Sequence, residues 1–190
     1  MTSVVQEKPA VTGYYVPQGM MINGAWVNSV SGATITVENP AKRTPITDVP
    51  RANAEDVNLA VAAAKAAFPG WARAVPRDRG RALLRIADAI EARSEELART
   101  IALETGNAIR TQARPEALLT ADIFRYFGGL AGELKGETTP LGEHMLNYTR
   151  REPLGVVGAI IPWNAPVMLG ALKIAAAICA GNTVVMKAAE

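Results

Sequence analysis

The spacing of hydrophobic and polar positions in this 190-residue chain changes at about residue 140. Before that point, apolar residues recur mainly every three to four positions, which is the spacing of one face of an α-helix. After it come apolar runs rich in valine and isoleucine, typical of parallel strands buried on both faces. The pattern therefore predicts an α/β protein whose helices lead into a doubly wound sheet that has only begun.

A small β unit is predicted ahead of the helices. Asn23 and Gly24 stand between two short apolar segments, and this dipeptide favours a two-residue hairpin. A further strand is predicted over residues 34–37. Residues 1–19 are interpreted as a flexible N-terminal segment.

Four helices follow in the pattern. Asn53 is predicted to cap the first, which Pro69 would end. Pro76 begins the second, and Ser94 is predicted to cap the third, which ends at Gly106. The arginines of the second helix region are interpreted as a solvated face; they are Arg73, Arg77, Arg79, Arg81 and Arg85.

The fourth helix is predicted over residues 111–134, with Pro115 in its first turn or at a kink. Its apolar side chains are expected on one face, namely Leu119, Ile123, Tyr126, Phe127 and Leu130.

The last part of the chain predicts one βαβ unit. Residues 145–151 alternate roughly as a strand, and residues 154–161 form the first buried strand. A helix is predicted over residues 165–180, beginning near Pro166, and a second buried strand over residues 183–186.

The loop after the first buried strand is the first candidate site. Ligands of open α/β sheets bind beyond the carboxyl ends of the strands, and the start of a helix favours negative charge. The side-chain amide of Asn164 can stabilise an oxyanion there. The alternative is that Asn164 caps the helix, which is the commoner role for this residue type at this position.

A second candidate site follows the second buried strand. Lys187 and Glu190 emerge at the same edge of the sheet as Asn164, because the two strands are parallel. The carboxylate can accept hydrogen bonds from ribose hydroxyls, and the ammonium group can donate them. The alternative is a pair of solvent-facing charges.

Composition excludes several classes of function. The net charge is +2, from 20 basic and 18 acidic residues, which does not favour a nucleic-acid or membrane-surface binder. The single cysteine, Cys179, rules out a disulfide within the chain and a cysteine-rich zinc site, and no metal site is predicted. Cys179 is interpreted as a buried structural residue. The N-terminus lacks the pattern of a signal peptide, so a cytoplasmic location is expected.

The stretch GVVGAIIPWNAPVMLGALKIAAAICAGNTVVMKAAE resembles the cofactor-site segment of the aldehyde dehydrogenase superfamily. The resemblance extends back through INGAWV, ENPAKRTPI, AVAAAKAAFPGWA and ALETGNAI. Its specific part is PWNAP followed at a fixed distance by AGNTVVMKAAE. Ala188 departs from the pattern, since many relatives have proline there.

The resemblance implies roles for named residues. Asn164 corresponds to an oxyanion-hole donor. Lys173 matches a lysine with a relay role in some relatives, although a surface lysine is the alternative. The residues implied to contact the cofactor are Ile160, Ile161, Pro162 and Trp163 on the nicotinamide and phosphate side, and Lys187 and Glu190 at the adenosine ribose.

The resemblance also implies an organisation and an activity. Residues 20–143 and 154–190 would form part of a cofactor-binding domain with a Rossmann-like sheet, and residues 144–153 would enter an oligomerisation sheet. The catalytic domain, with its nucleophilic Cys and general-base Glu, is absent from this chain.

The implied activity is oxidation of a small-molecule aldehyde to a carboxylic acid with NAD, or alternatively NADP, by a homodimer or homotetramer. The chain alone is predicted to be inactive. A second hypothesis is a catalytically inactive truncated product or a partner-binding subunit.

Overall fold

The computed structural model describes residues 19–189. The predicted flexible segment, apart from its last residue, and Glu190 lie outside the described residues. The strands are β1 (Met20–Ile22), β2 (Ala25–Val27), β3 (Thr34–Asn39), β4 (Thr44–Pro50), β5 (Thr138–Pro140), β6 (Leu146–Tyr148), β7 (Val156–Ile160) and β8 (Thr183–Lys187). The helices are α1 (Ala54–Arg73), α2 (Pro76–Ala92), α3 (Ser94–Thr105), α4 (Arg114–Leu130) and α5 (Pro166–Cys179), with a π-helical turn at Ile109–Ala113 before α4.

The predicted hairpin is confirmed. Strands β1 and β2 pair antiparallel, and the turn between them has positive φ angles at Asn23 (51°) and Gly24 (76°). Two consecutive positive φ angles are what a type I′ turn requires. Strand β3 is also confirmed, but its antiparallel partner β4 was not predicted as a strand.

The predicted start of α1 is confirmed by a capping box. Asn53 Oδ1 accepts hydrogen bonds from the backbone N–H groups of Glu55 and Asp56, and the Asp56 carboxylate accepts one from the N–H of Asn53. Asp56 also accepts bonds from Ser29 Oγ at 2.6 Å and from the N–H of Val30 at 2.9 Å. Burial alone would raise the pKa of Asp56, but these hydrogen bonds outweigh it and lower the pKa. The carboxylate thereby ties α1 to the loop after the hairpin.

Three predicted helix boundaries are wrong. Helix α4 ends at Leu130 and not near residue 134. Helix α1 continues through Pro69 to Arg73, and Trp71 in this last part of the helix donates an indole Nε1 hydrogen bond to the Ile178 carbonyl at 3.0 Å. Ser94 is the first residue of α3 and not its cap, and no side chain caps that helix start.

The predicted apolar face of α4 is partly wrong. Leu119 and Tyr126 are 46% and 64% exposed. The predicted position of Pro115 in the first turn is confirmed. The buried face of α4 instead carries mostly small residues, together with one carboxylate; these residues are Glu116, Ala117, Thr120, Ala121, Phe124 and Gly128.

Close packing against α2 explains why small residues lie on that face. A Cβ atom added at Gly80 of α2 would lie 2.6 Å from the carbonyl oxygen of Gly128, so the two helices touch where neither has a side chain. The core between α2, α4 and α5 consists of Leu83, Ala87, Phe124, Ala131, Ala171, Ala175 and Cys179. A second cluster joins α3 to the start of α4 through Ala98, Ile101, Ala113 and Ala117.

The predicted βαβ unit is confirmed. Strands β7 and β8 are parallel and are connected by α5, which gives the α/β class expected from the sequence. The predicted burial on both faces is only partly observed, since Ala159 is buried but Ile160 is 72% exposed. Within the part of the chain that the structure describes, this sheet has two strands, and it is covered by α1 and α5.

The segment before β7 forms a separate ribbon. Strand β6, which was predicted, pairs antiparallel with β5, which was not. Both strands are exposed along their whole length. None of the helices within residues 19–189 combines the length and the apolar character needed to cross a membrane.

Candidate active site

The carboxyl edge of the β7–β8 sheet carries the predicted site residues. The parallel register places Ile160 opposite Lys187, and the N–H of Ile161 donates a hydrogen bond to the Lys187 carbonyl at 3.0 Å. Lys187 therefore lies next to the start of the loop that leads to Asn164, as the parallel topology predicted.

The loop is anchored at its first residue and exposed after it. Ile161 is 5% exposed, and its side chain lies over Gly170 of α5, where an added Cβ would be 3.8 Å from Ile161 Cδ1. Pro162, Trp163 and Asn164 are exposed, Trp163 to 75%. The exposed Trp163 directly precedes the exposed, polar Asn164 in the chain.

The start of α5 is capped by Glu116, a residue of α4. Glu116 Oε1 accepts hydrogen bonds from the N–H groups of Val167 at 3.0 Å and Met168 at 3.2 Å, across 51 and 52 residues of sequence. The carboxylate is buried, with Glu116 6% exposed. Ala165 occupies the N-cap position and has no side-chain hydrogen bond to offer. The hypothesis that Asn164 caps this helix therefore does not match the structure.

This cap changes the expected electrostatics of the helix start. The sequence predicted that α5 would favour a negative charge at its N-terminus. The chain itself supplies that charge, because the Glu116 carboxylate occupies the N–H groups of Val167 and Met168. These two amides are not open to a ligand anion.

Asn164 is held by its backbone and not by its side chain. Its carbonyl oxygen accepts a hydrogen bond from Asn107 Nδ2 at 3.2 Å. Within residues 19–189, its side-chain amide makes no hydrogen bond. The amide is therefore available to a ligand at the carboxyl edge of the sheet.

Lys173 lies on α5 with its side chain exposed. A helix rises about 1.5 Å per residue, so the Cα of Lys173 lies roughly 10 Å along the axis from Pro166. The structure does not bring Lys173 to the Asn164 loop, and its relay role stays a prediction.

The other end of α5 also has a buried charged partner. Arg79 of α2 is 6% exposed and donates hydrogen bonds from Nε to the Cys179 carbonyl at 3.1 Å and from Nη1 to the Ala74 carbonyl at 2.6 Å. The interpretation of Arg79 as part of a solvated face is wrong. A cation at the C-terminus and a carboxylate at the N-terminus both complement the helix dipole of α5.

Neither Glu116 nor Arg79 was predicted to have a function, although their spacing from buried residues carried a helical signal. Arg79 is four and eight residues before the buried Leu83 and Ala87, and Glu116 is four and eight residues before the buried Thr120 and Phe124. Charged residues whose helical spacing places them on a buried face are candidates for side chains that are buried and hydrogen-bonded. Their partners on α5 lie too far along the chain for local pattern to identify.

Cys179 is buried, as predicted, at 3% exposure. Its thiol donates a hydrogen bond to the Phe127 carbonyl at 3.1 Å. Burial raises the pKa of the thiol, and the nearby Arg79 charge, which acts in the opposite direction, does not offset it. The thiol therefore stays protonated at neutral pH, which does not suit a nucleophile.

We expect Cys179 to resist alkylation in the folded chain. The thiolate is the reacting species, so a raised pKa and burial both reduce the rate. Iodoacetamide near neutral pH should modify the native protein at least about 100-fold more slowly than the protein unfolded in guanidinium chloride, as mass spectrometry would show. Equal rates in the two states would show that Cys179 is exposed and activated.

Comparisons with known proteins bear on this site. A sequence model described as "Aldehyde dehydrogenase family" matches residues 26–190. A curated aldehyde dehydrogenase from Aspergillus niger is 44% identical over 178 residues, which cover 93% of this chain and 36% of that protein.

Two crystal structures are similar in fold. PnpE from Pseudomonas sp. WBC-3, in a complex with nicotinamide adenine dinucleotide, matches with a TM-score of 0.87 and 45% identity, covering 90% of this chain and 35% of that one. An aldehyde dehydrogenase from Bacillus cereus matches with a TM-score of 0.89 and 36% identity, covering 98% of this chain and 38% of that one. The chain thus spans about a third of the length of the relatives it matches.

Proposed function

The chain belongs to the aldehyde dehydrogenase family, and from this premise we propose that it is part of an enzyme that oxidises an aldehyde to a carboxylic acid with NAD(P)⁺. In this enzyme, the chain supplies part of the cofactor site and the residue that stabilises the oxyanion, Asn164. The complete enzyme here means this chain together with the remaining length of the family fold. The observation that carries the proposal is at Asn164. Its backbone carbonyl is held by Asn107, while its side-chain amide has no partner within residues 19–189.

In the proposed reaction, Asn164 acts on the carbonyl oxygen of the aldehyde. A thiolate from outside this chain attacks the carbonyl carbon, and the π electrons move to the oxygen. The Asn164 amide N–H donates a hydrogen bond to the resulting oxyanion, so the bond strengthens as negative charge develops. Collapse of the oxyanion releases hydride and leaves a thioester, which water hydrolyses to the acid. NAD⁺, when bound, supplies the acceptor for that hydride.

The exposed loop residues fit the nicotinamide side of a dinucleotide. Pro162 and Trp163 offer apolar surface directly before Asn164, at the carboxyl ends of two parallel strands. Ile160 and Ile161 belong to the same edge, and Lys187 lies beside them. Because the first amides of α5 are bound to Glu116, the pyrophosphate must find hydrogen-bond donors elsewhere.

We expect the complete enzyme to prefer NAD⁺ over NADP⁺. Glu190, which follows β8, is proposed to accept a hydrogen bond from the 2′-hydroxyl of the adenosine ribose. A 2′-phosphate would meet a like charge there, and Lys187 would offset only part of the repulsion. The kcat/KM for NAD⁺ should exceed that for NADP⁺ by about tenfold or more, which is about 1.4 kcal/mol. The variant Glu190→Gln should bring the kcat/KM values for NAD⁺ and NADP⁺ closer together. Equal kcat/KM values for the two cofactors in the unaltered enzyme would contradict the prediction.

We expect residues 1–190, purified alone, to show no aldehyde dehydrogenase turnover. The only thiol is Cys179, which is buried and protonated. Reduced cofactor would be followed by absorbance with NAD⁺ and a panel of aldehydes, and Cys179→Ser would be the control. Steady turnover that survives this substitution would contradict the prediction, because no thiol would remain.

We further propose a homodimer or homotetramer in which the β5–β6 ribbon takes part. Leu146 and Tyr148 on β6 are 79% and 66% exposed, and within residues 19–189 the outer edge of each strand is unpaired, which favours pairing with a further strand. A cytoplasmic location and a small-molecule aldehyde substrate complete the proposal. Light scattering of the complete enzyme tests the assembly, and a monomer at micromolar concentration would contradict it.

A further inference from the structure

We propose that Glu116 and Asn107 are positioning residues that together fix the backbone of Asn164 for its role at the oxyanion. The inference rests on the proposed function, because it assigns a purpose to contacts with the same loop. Within residues 19–189, neither residue hydrogen-bonds the side-chain amide of Asn164. Both act through the polypeptide segment from Asn164 to Met168.

Glu116 holds the downstream side of this segment. Its buried carboxylate binds the N–H groups of Val167 and Met168 through one oxygen, Oε1, at 3.0 and 3.2 Å. A buried carboxylate that loses such bonds would be left uncompensated, so the contact is held firmly. Because α4 is also packed against α2 and α5 through the helical core, Glu116 fixes where the first turn of α5 begins.

Asn107 holds the upstream side. Its Nδ2 donates to the Asn164 carbonyl at 3.2 Å, which fixes the peptide plane directly after the Asn164 side chain. Asn107 is itself fixed at the end of α3, since its N–H donates to Thr105 Oγ1 at 3.1 Å after Gly106 ends the helix with a φ of 75°. The loop is thus held by α3 at one point and by α4 at the other.

These two contacts fix the backbone from which the Asn164 side chain extends. Asn164 has no neighbouring side chain within residues 19–189 that hydrogen-bonds its amide, so its orientation depends on its backbone. An oxyanion donor needs close placement, since a shift of about 1 Å can cost about 100-fold in rate. Glu116 and Asn107 therefore affect catalysis without touching the reacting atoms.

A double-mutant cycle in the complete enzyme tests the inference. The rate of hydride transfer would be measured in single turnovers for Asn107→Ala, Asn164→Ala and the double variant. Loss of one neutral hydrogen bond corresponds to about a 2- to 10-fold effect, so Asn107→Ala should slow hydride transfer by that factor. In the Asn164→Ala background, the same substitution should have no further effect, because the group that it positions is gone.

Glu116 is tested by a conservative and a disruptive variant. Glu116→Gln keeps an acceptor oxygen for the N–H groups of Val167 and Met168, so the two hydrogen bonds remain, although the acceptor is no longer charged. We therefore expect the rate of hydride transfer to stay within about threefold of that of the unaltered enzyme. Glu116→Leu should slow it by about tenfold or more. An unaltered rate in folded Glu116→Leu would overturn the role of Glu116. If this variant does not fold, Glu116→Asp, which withdraws the carboxylate by one methylene, takes its place with the same expected loss. Gln112→Ala is the matched control, because it removes an amide contact to the Ala108 N–H in the adjoining turn and not one to the loop.

The outcomes separate this inference from the function on which it rests. An unaltered hydride-transfer rate in Asn164→Ala would overturn both. Suppose instead that Asn164→Ala slows hydride transfer and that Asn107→Ala then slows it further, by the same factor as in the unaltered enzyme. This result would overturn the positioning role alone. Loss of the Asn107 effect in that background, with Gln112→Ala unchanged, supports the proposal.

Discussion

Replacing Asn164 with alanine is expected to slow hydride transfer in the complete enzyme by roughly 100- to 1000-fold, which is about 2.7–4 kcal/mol in the barrier. The physical reason is that the amide N–H is proposed to bind the oxygen more strongly as it becomes an oxyanion. Single-turnover formation of reduced cofactor is the measurement, because slow hydrolysis of the thioester would hide the effect in kcat.

The stability of the Asn164→Ala variant provides the control. Glu116 caps α5, and the Asn107 contact is to the backbone, so both remain after the substitution. The free energy of unfolding should therefore change by less than about 0.5 kcal/mol. A variant that transfers hydride at the normal rate but loses about 0.5–2 kcal/mol of stability would show that Asn164 is a structural cap.

Replacing Arg79 with methionine is expected to destabilise the protein by about 2–4 kcal/mol. The substitution leaves the Cys179 and Ala74 carbonyls without their charged donor and removes the positive charge at the C-terminus of α5. Hydrogen bonds to a charged group contribute about 1.5–3 kcal/mol, and a partly buried charge at a helix end up to about 2 kcal/mol, although the two overlap.

Urea unfolding of the complete enzyme measures this effect, and Arg81→Met is the matched control. Arg81 lies on the same helix but is exposed in an ion pair with Asp78, so its loss should cost less than about 1 kcal/mol. Equal losses for the two variants would show that the Arg79 contacts do not stabilise the fold.

The sequence predicted the elements whose signals are local. The hairpin follows from Asn23 and Gly24, the start of α1 from the Asn53 capping box, and the end of α3 from Gly106. The parallel pair of strands β7 and β8 was predicted from the two apolar runs on either side of α5. Its register places Lys187 opposite Ile160, at the carboxyl edge of the sheet, as predicted. Each of these features depends on residues that are close together in the chain.

The features that were missed depend on contacts across the chain. Helix α1 continues past Pro69 to Trp71, whose indole binds the carbonyl of Ile178, 107 residues away. The buried side of α4 follows from its close packing against α2, which favours small residues over Leu119 and Tyr126. No local pattern could show either contact.

The same limit applies at the candidate site. Asn164 was singled out correctly as lying at the carboxyl edge of the sheet, but only the position of Glu116 shows that another residue caps α5. That carboxylate precedes its partner Val167 by 51 residues. The oxyanion role of Asn164 stays a prediction. The cofactor-binding and relay roles also remain predictions that rest on the resemblance; they concern Ile160, Ile161, Pro162, Trp163, Lys173, Lys187 and Glu190.

A crystal structure of the complete enzyme with NAD⁺ bound tests the central claim most directly. We expect the nicotinamide half of the cofactor to lie against Pro162 and Trp163, with the Asn164 amide directed at the substrate carbonyl. We expect the adenosine ribose to lie within hydrogen-bond distance of Lys187 and Glu190. A cofactor bound away from the carboxyl edge of β7 and β8, or an Asn164 side chain turned away from the substrate, would contradict it.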